Sequence, residues 1–279
     1  MLPPKPPTPT MLRFDVNVSM LWRELPFIAR LQKAATAGFD TVEFLWPRGE
    51  NLDEIAGAIQ ELRLSVALHN MDAGDIGKGA RGYANDPARQ PEWREKFHEA
   101  ITFAQRVACL RVNCLVGNDT GTLSREEQLD VVVENLEWAL PLAQAAGIII
   151  MIEPLNLFES PQYLLGHSTE AQALIRRLDS DFVQLQYDVY HMQRMENGVA
   201  ETIVGNVQDI GHIQIADNPG RHEPGTGDID WREVFGAIEQ SGYNGFIGLE
   251  YVPSTTADDS FNWMPRGKRS EWAANELNL

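Results

Sequence analysis

Residues 148–156 read IIIMIEPLN, five apolar residues followed by a carboxylate at Glu153, and related runs recur three times downstream. VQLQYDVYH (183–191) carries Asp188 near its end, GHIQIAD (211–217) carries Gln214, and GFIGLEY (245–251) carries Glu250. Short β-branched runs of this kind read as buried strands, in which side chains two apart share a face. Ile148, Ile150 and Ile152 then oppose Ile149, Met151 and Glu153. Val183, Leu185 and Tyr187 oppose Gln184, Gln186 and Asp188, while Ile213 and Ile215 oppose His212 and Gln214. One face stays apolar; the other turns polar toward the C-terminal end. A carboxylate at the end of a buried strand is costly to desolvate, and a cation or a catalytic task is the usual reason for one. Solvation at a strand terminus would explain any one of these positions, but four concordant strands argue against it.

Four more strand signals precede these, at RFDVNVS (13–19), DTVEFLW (40–46), LSVALHN (64–70) and RVNCLVG (111–117). Helical patterns fill most of the intervals. LPFIARLQKAATAG ends at Gly38, and SREEQLDVVVENLEWALPLAQAAG opens with Ser124 and Glu127 in capping-box spacing, with Pro141 inside as a kink or a break. Ser168 and Asp230 are expected N-caps and Gly242 an expected stop. Alternating strands and helices predict an α/β fold, a single (β/α)8 TIM barrel over residues 11–279 with a short C-terminal helix in SEWAANELNL. A doubly wound open sheet is the alternative, but it does not gather four polar strand ends around one mouth as a closed barrel does.

The bulk composition agrees with one domain. The chain has 279 residues, 43% of them hydrophobic, and no long polar linker divides it. MLPPKPPTPT (1–10) reads as a flexible, proline-rich tail without the apolar segment of a secretion signal. No apolar run is long enough to span a bilayer, so a cytoplasmic protein without a membrane partner is expected. A formal net charge of −17 argues against a nucleic-acid partner, although a local basic groove is compatible with it. Cys109 and Cys114 are too few for a disulfide scaffold and read as buried thiols. A homo-oligomer is left open.

Gly77, Gly79 and Gly82 spell G-x-G-x-x-G, yet no strand leads directly into them and prolines follow, so a dinucleotide site is rejected. The segment is expected to be a long loop above the third strand, either a lid carrying Arg81 or Lys78 or an ordinary solvated loop. GTGDID (225–230) reads as a turn into the next helix. His191, three residues past Asp188, either polarises a substrate oxygen or is an ordinary loop histidine; His212 is an inner support or a deep ligand. Three carboxylates and an amide oxygen are hard ligands suited to Mg²⁺ or Mn²⁺. Their negative charge exceeds that of a divalent ion by one unit, so a nearby cation or a protonated carboxyl is expected. An acid beside an ionised partner is what moving hydrogen between adjacent carbons requires.

MLRFDVNVSM, AGFDTVEFLWP, MIEPLN, YDVYHMQ, HIQIAD with PGRHEPGTG, and GLEY occur in order over nearly everything beyond the tail. In this set the chain resembles the hydroxypyruvate isomerases within the xylose-isomerase-like barrel superfamily. The resemblance implies that Glu153 and Glu250 are the proton donor and acceptor pair, and that Glu153, Asp188, Gln214 and Glu250 coordinate a divalent metal. It also implies substrate contacts at His191, Arg221 and Glu159; Arg81 is a further candidate for the substrate carboxylate. The departure from the family pattern lies in LHNMDAGDIGKGARGYAND (68–86). The expected reaction is the interconversion of hydroxypyruvate and 2-hydroxy-3-oxopropanoate (tartronate semialdehyde) through an enediolate. Rival expectations are a 2-oxo-tetronate isomerase, a ketose 3-epimerase, an abasic-site endonuclease and a non-catalytic sugar-acid binding protein.

Overall fold

A computed structural model describes residues 11–265, 267 and 269–279. The proline-rich segment expected to form a tail, residues 1–10, lies outside the described residues.

All eight expected strands are present and parallel: β1 (Leu12–Asn17), β2 (Thr41–Phe44), β3 (Ser65–Asn70), β4 (Arg111–Asn113), β5 (Ile149–Ile152), β6 (Val183–Asp188), β7 (Ile210–Ile215) and β8 (Phe246–Leu249). β1 pairs with β2 on one side, at Val16 with Val42, and with β8 on the other, from Arg13 with Phe246 to Val16 with Leu249, so the sheet closes on itself. The helices between them are α1 (Phe27–Thr36), α2 (Leu52–Glu61), α3 (Gln90–Arg106), α4 (Arg125–Ala146), α5 (Ser168–Leu178), α6 (Val189–Met195), α7 (Val199–Asn206) and α8 (Trp231–Ser241).

Local chemistry explains their limits. The Asn51 side chain accepts from the amides of Asp53 and Glu54 to start α2, and Ser124 and Glu127 close a reciprocal capping box on α4. Asp230 caps α8, and Gly242 ends it in the left-handed region at φ 81°. α4 runs unbroken through Pro141. Two expectations shift. Ser168 lies inside α5 as its first residue, with its hydroxyl bonded to Glu196; the amides of Gly166 and His167 instead donate to the Glu170 carboxylate. The short C-terminal helix is only a 3-10 turn, Ala274–Glu276, preceded by a two-residue strand β9 (Glu271–Trp272) that pairs antiparallel with the start of β1.

Two layers of packing position the site. Outward-facing strand residues meet the helices: Phe14 packs edge-on against Phe235 of α8 and Trp263, and Phe44 packs against Phe27 of α1. His69 also faces outward, stacked on Phe44 beside Phe103, and its burial pushes its pKa down to about 4. The inward layer is polar, with Asp15, Asn17, Glu43, Asn113, Gln186, His212 and Gln214 all buried. Gly248 makes room for it, since a Cβ there would lie 2.4 Å from the Glu43 carboxylate. Cys109 and Cys114 are buried thiols, as expected, and burial pushes each up to about 12.

Candidate active site

At the C-terminal ends of the strands a cavity of about 360 Å³ opens among Glu153, Glu250, His191, Arg221, Glu159 and Arg81. Chemistry in barrels of this kind gathers at this end, because several strand ends and their following loops converge there. A larger groove, about 870 Å³, lies by Trp46, His98 and Phe103 and contains none of these carboxylates but Glu50, Asp53, Glu95 and Glu99 of its own. Its size alone carries no chemistry, whereas the smaller cavity holds the buried acids.

Glu153 follows β5 and accepts a hydrogen bond from Asn113 Nδ2 at 2.6 Å. Burial, and then the nearby Glu250 and Asp188 charges, hold its pKa well above the ordinary range. Glu250 follows β8; one of its oxygens accepts from Asn17 Nδ2 at 3.1 Å and the other from Arg221 Nη2 at 2.6 Å. Burial lifts it to about 8 in spite of the arginine, with Asp188 and Glu43 also raising it. Asp188 ends β6 and caps α6 through the Tyr190 amide, while its Oδ2 is buried without a hydrogen-bond partner. Burial raises it to about 6, against the pull of Arg221.

The charge surplus called for a nearby cation or a protonated carboxyl, and Arg221 brings a cation beside these acids. Its Nη2 lies 2.6 Å from Glu250 and 3.6 Å from Asp188, and although burial disfavours its charge, those carboxylates keep its pKa raised. The loop after β7 holds it in place. Asp217 Oδ2 accepts from the amides of Gly225 and Thr226 and from Trp231 Nε1, and the Arg221 carbonyl accepts from the Val252 amide. GTGDID is thus a turn that wraps a carboxylate, and α8 starts directly after it.

His191 belongs to α6, a short helix that the sequence reading treats as loop, and it is buried against the cavity. Its Nε2 is 3.4 Å from Asp188 Oδ2 and its Nδ1 is 2.8 Å from Asn156 Nδ2. Burial, followed by the charges of Arg221, Arg81 and Arg194, drives its pKa well below the usual value. Glu159 lines the cavity and is bound by Tyr190 and Arg194. Of the two lid candidates, Arg81 turns inward, with Nε on Ser160 Oγ at 3.0 Å and Nη1 on the Ile76 and Ala80 carbonyls. Lys78 stays exposed and pairs with Asp75. Gln214 sits one layer deeper than the cavity lining: its Nε2 donates to Glu43 and its Oε1 accepts from Gln186.

A divalent cation suits the residues present. Glu153, Asp188 and His191 each bring a ligand-type atom within 4.8 Å of one another, and one oxygen of Asp188 accepts no hydrogen bond. With all three carboxylates ionised, one guanidinium leaves a net charge of −2, which the two positive charges of a divalent cation would balance. The inner supports Asn17, Glu43, Asn113 and Asn156 were not singled out from the sequence. Alternation offered a signal for Asn17 and Glu43, each flanked by apolar residues in a strand, whereas nothing local marks Asn156.

The sequence pattern of the xylose isomerase-like TIM barrel family matches residues 31–267. Hydroxypyruvate isomerase of Escherichia coli (strain K12) is 41% identical over 254 residues, 91% of this chain and 98% of that protein. A 2-oxo-tetronate isomerase of Cupriavidus necator is 33% identical over the same shares. A crystal structure from Brucella melitensis, titled an AP endonuclease of family 2, superposes with a TM-score of 0.87 at 34% identity, covering 91% of this chain and 98% of that one.

Proposed function

The chain belongs to the xylose isomerase-like TIM barrel family, and from that membership and the geometry of the cavity we propose that it interconverts hydroxypyruvate and 2-hydroxy-3-oxopropanoate by proton transfer between adjacent carbons. The observation that carries this reading is the placement of two buried glutamates, Glu153 and Glu250, on one small cavity, with Glu250 among the charges that raise Glu153.

In the proposed reaction one glutamate, ionised, takes a proton from C3 of hydroxypyruvate. The C–H electron pair becomes the C2–C3 double bond of an enediolate, and the former carbonyl oxygen takes up the negative charge. The other glutamate, protonated, returns a proton to C2, and the C3 oxygen becomes the aldehyde as its hydroxyl proton passes to the C2 oxygen. The reaction direction decides which glutamate is the base. Arg221 and His191 lie where they can receive the developing oxyanion, the kind of preorganised stabilisation that lowers such barriers most. Arg81, clamped by Ser160 and two carbonyls, is placed to pair with the substrate carboxylate. A divalent metal, Mg²⁺ or Mn²⁺ by the hardness of the donors, would be held by Glu153, Asp188 and Glu250 and would supply Lewis-acid stabilisation of charge, whereas Gln214, expected as a fourth ligand, has its amide oxygen engaged by Gln186 one layer down.

A second reading, isomerisation of the four-carbon 2-oxo-tetronate, is favoured by the Cupriavidus necator relative and uses the same groups. Proton NMR of the purified protein in D₂O, with hydroxypyruvate, 2-oxo-tetronate and a ketose, before and after chelation, tests both. Deuterium entering C2 with appearance of the aldehyde is expected for hydroxypyruvate. Deuterium at C3 of a ketose without chain-position exchange would assign an epimerase. Cleavage of abasic DNA, or binding of these acids without hydrogen exchange, would overturn the isomerase reading.

A further inference from the structure

We infer that Asn156 fixes the tautomer of His191, so that the ring presents an Nε2–H donor to the cavity and offers no Nε2 lone pair. The inference deepens the proposed function but starts from the main chain. The Glu159 amide donates to Asn156 Oδ1 at 3.0 Å. A backbone N–H can only donate, so the atom it meets must be the amide oxygen, and Asn156 cannot be turned end over end. The atom 2.8 Å from His191 Nδ1 is then the NH₂ group, which also can only donate. Nδ1 must therefore be the acceptor, and a neutral imidazole that accepts at Nδ1 carries its proton on Nε2. The other Asn156 contact agrees, since Nδ2 also lies 3.4 Å from Glu159 Oε2, an acceptor.

The Nε2 proton lies 3.4 Å, nitrogen to oxygen, from Asp188 Oδ2, which has no hydrogen-bond partner. His191 is thereby a donor toward a substrate oxygen rather than a ligand through Nε2, and only the carboxylates of the Glu153, Asp188 and His191 group have lone pairs free for a cation. Asn156 acts through His191 as a positioning residue. It is fully buried three residues beyond Glu153, so one short segment, EPLN, sets both a proton-transfer group and the tautomer of its neighbour.

Long-range proton–nitrogen correlation NMR of the full-length, nitrogen-15-labelled protein reads the tautomer without substrate. His191, assigned by its loss in His191→Gln, is expected to show a bare Nδ1 and a protonated Nε2, and to keep the Nε2 proton when Mg²⁺ alone is added. Asn156→Asp replaces the donor by an acceptor and is expected to move the proton to Nδ1, with kcat falling about 10- to 100-fold and KM changing less. A proton on Nδ1 in the unsubstituted protein, loss of the Nε2 proton on adding Mg²⁺, or an unchanged tautomer in the Asp variant would overturn the inference. The expected spectrum in a protein that turns over no hydroxy-oxo acid would leave this assignment standing and remove the proposed activity.

Discussion

At the scale of single residues, the site combines acids that resist ionisation with one guanidinium that binds two of them. Glu153→Gln and Glu250→Gln keep the shape of the side chain and remove the titratable oxygen. Each is expected to lower substrate–solvent hydrogen exchange about 10²- to 10⁴-fold, the usual worth of a positioned acid or base. Exchange followed by NMR, with circular dichroism confirming the fold, checks this, and near-normal exchange in either variant removes its assigned role. Arg221→Ala leaves Glu250 and Asp188 facing each other without the cation between them. A loss of about 3 kcal/mol is expected, the lower end for an uncompensated buried charge because the arginine side chain is 23% exposed. Urea unfolding at neutral pH measures it. The identities of the acids were legible in the sequence, since each ends an apolar run. Their partners were not, because Asn17, Asn113 and Asn156 reach Glu250, Glu153 and His191 only when segments far apart in the chain come together.

At the scale of elements, loops aim what the strands carry. Gly82 sits in the long loop after β3 at φ 86°, and an added Cβ would lie 2.0 Å from the Leu115 carbonyl oxygen. Gly82→Ala must displace the segment that holds Arg81, and kcat/KM is expected to fall about 10- to 100-fold, since small misplacements of binding groups are costly. Steady-state kinetics on the acid substrates shows the effect; an unchanged kcat/KM would mean that this loop plays no part in binding. Ser124→Ala is its counterpart on an element that lines no part of the cavity. Loss of the capping box on α4 is expected to cost about 1 kcal/mol by thermal unfolding and to leave kinetics unchanged. Helix ends of this kind could be read directly, because caps depend on residues three or four apart. The short helix α6 was missed because its first turn is organised by Asp188, a residue whose pattern reads as the end of a strand.

At the scale of the whole molecule, the barrel encloses more acid than its interior can ionise cheaply. Glu250 rises to about 8 and Asp188 to about 6, chiefly through burial, whereas the unfolded chain releases these protons near pH 4. The folded state therefore holds protons that the unfolded state has lost. This contribution to stability is complete below about pH 4 and disappears as pH rises toward 8. Calorimetry of the metal-free protein should show the melting temperature of Glu250→Gln gaining on the unsubstituted protein from pH 5 to pH 8; a constant gap would contradict it. By the same linkage, chelation should lower the melting temperature of a metal-loaded sample more at pH 8 than at pH 5. The sequence by itself determined the eight β/α units, their closure into a barrel, the family and the acids at the strand ends, because hydrophobic periodicity and capping are local and repeat along the chain. Only the tertiary structure decided that Arg221 stands between Glu250 and Asp188, that Gln214 is engaged with Glu43 one layer down, and that Asn156 holds His191. Those contacts join residues from separate strands and loops, and closing the barrel is what brings them within reach of one another.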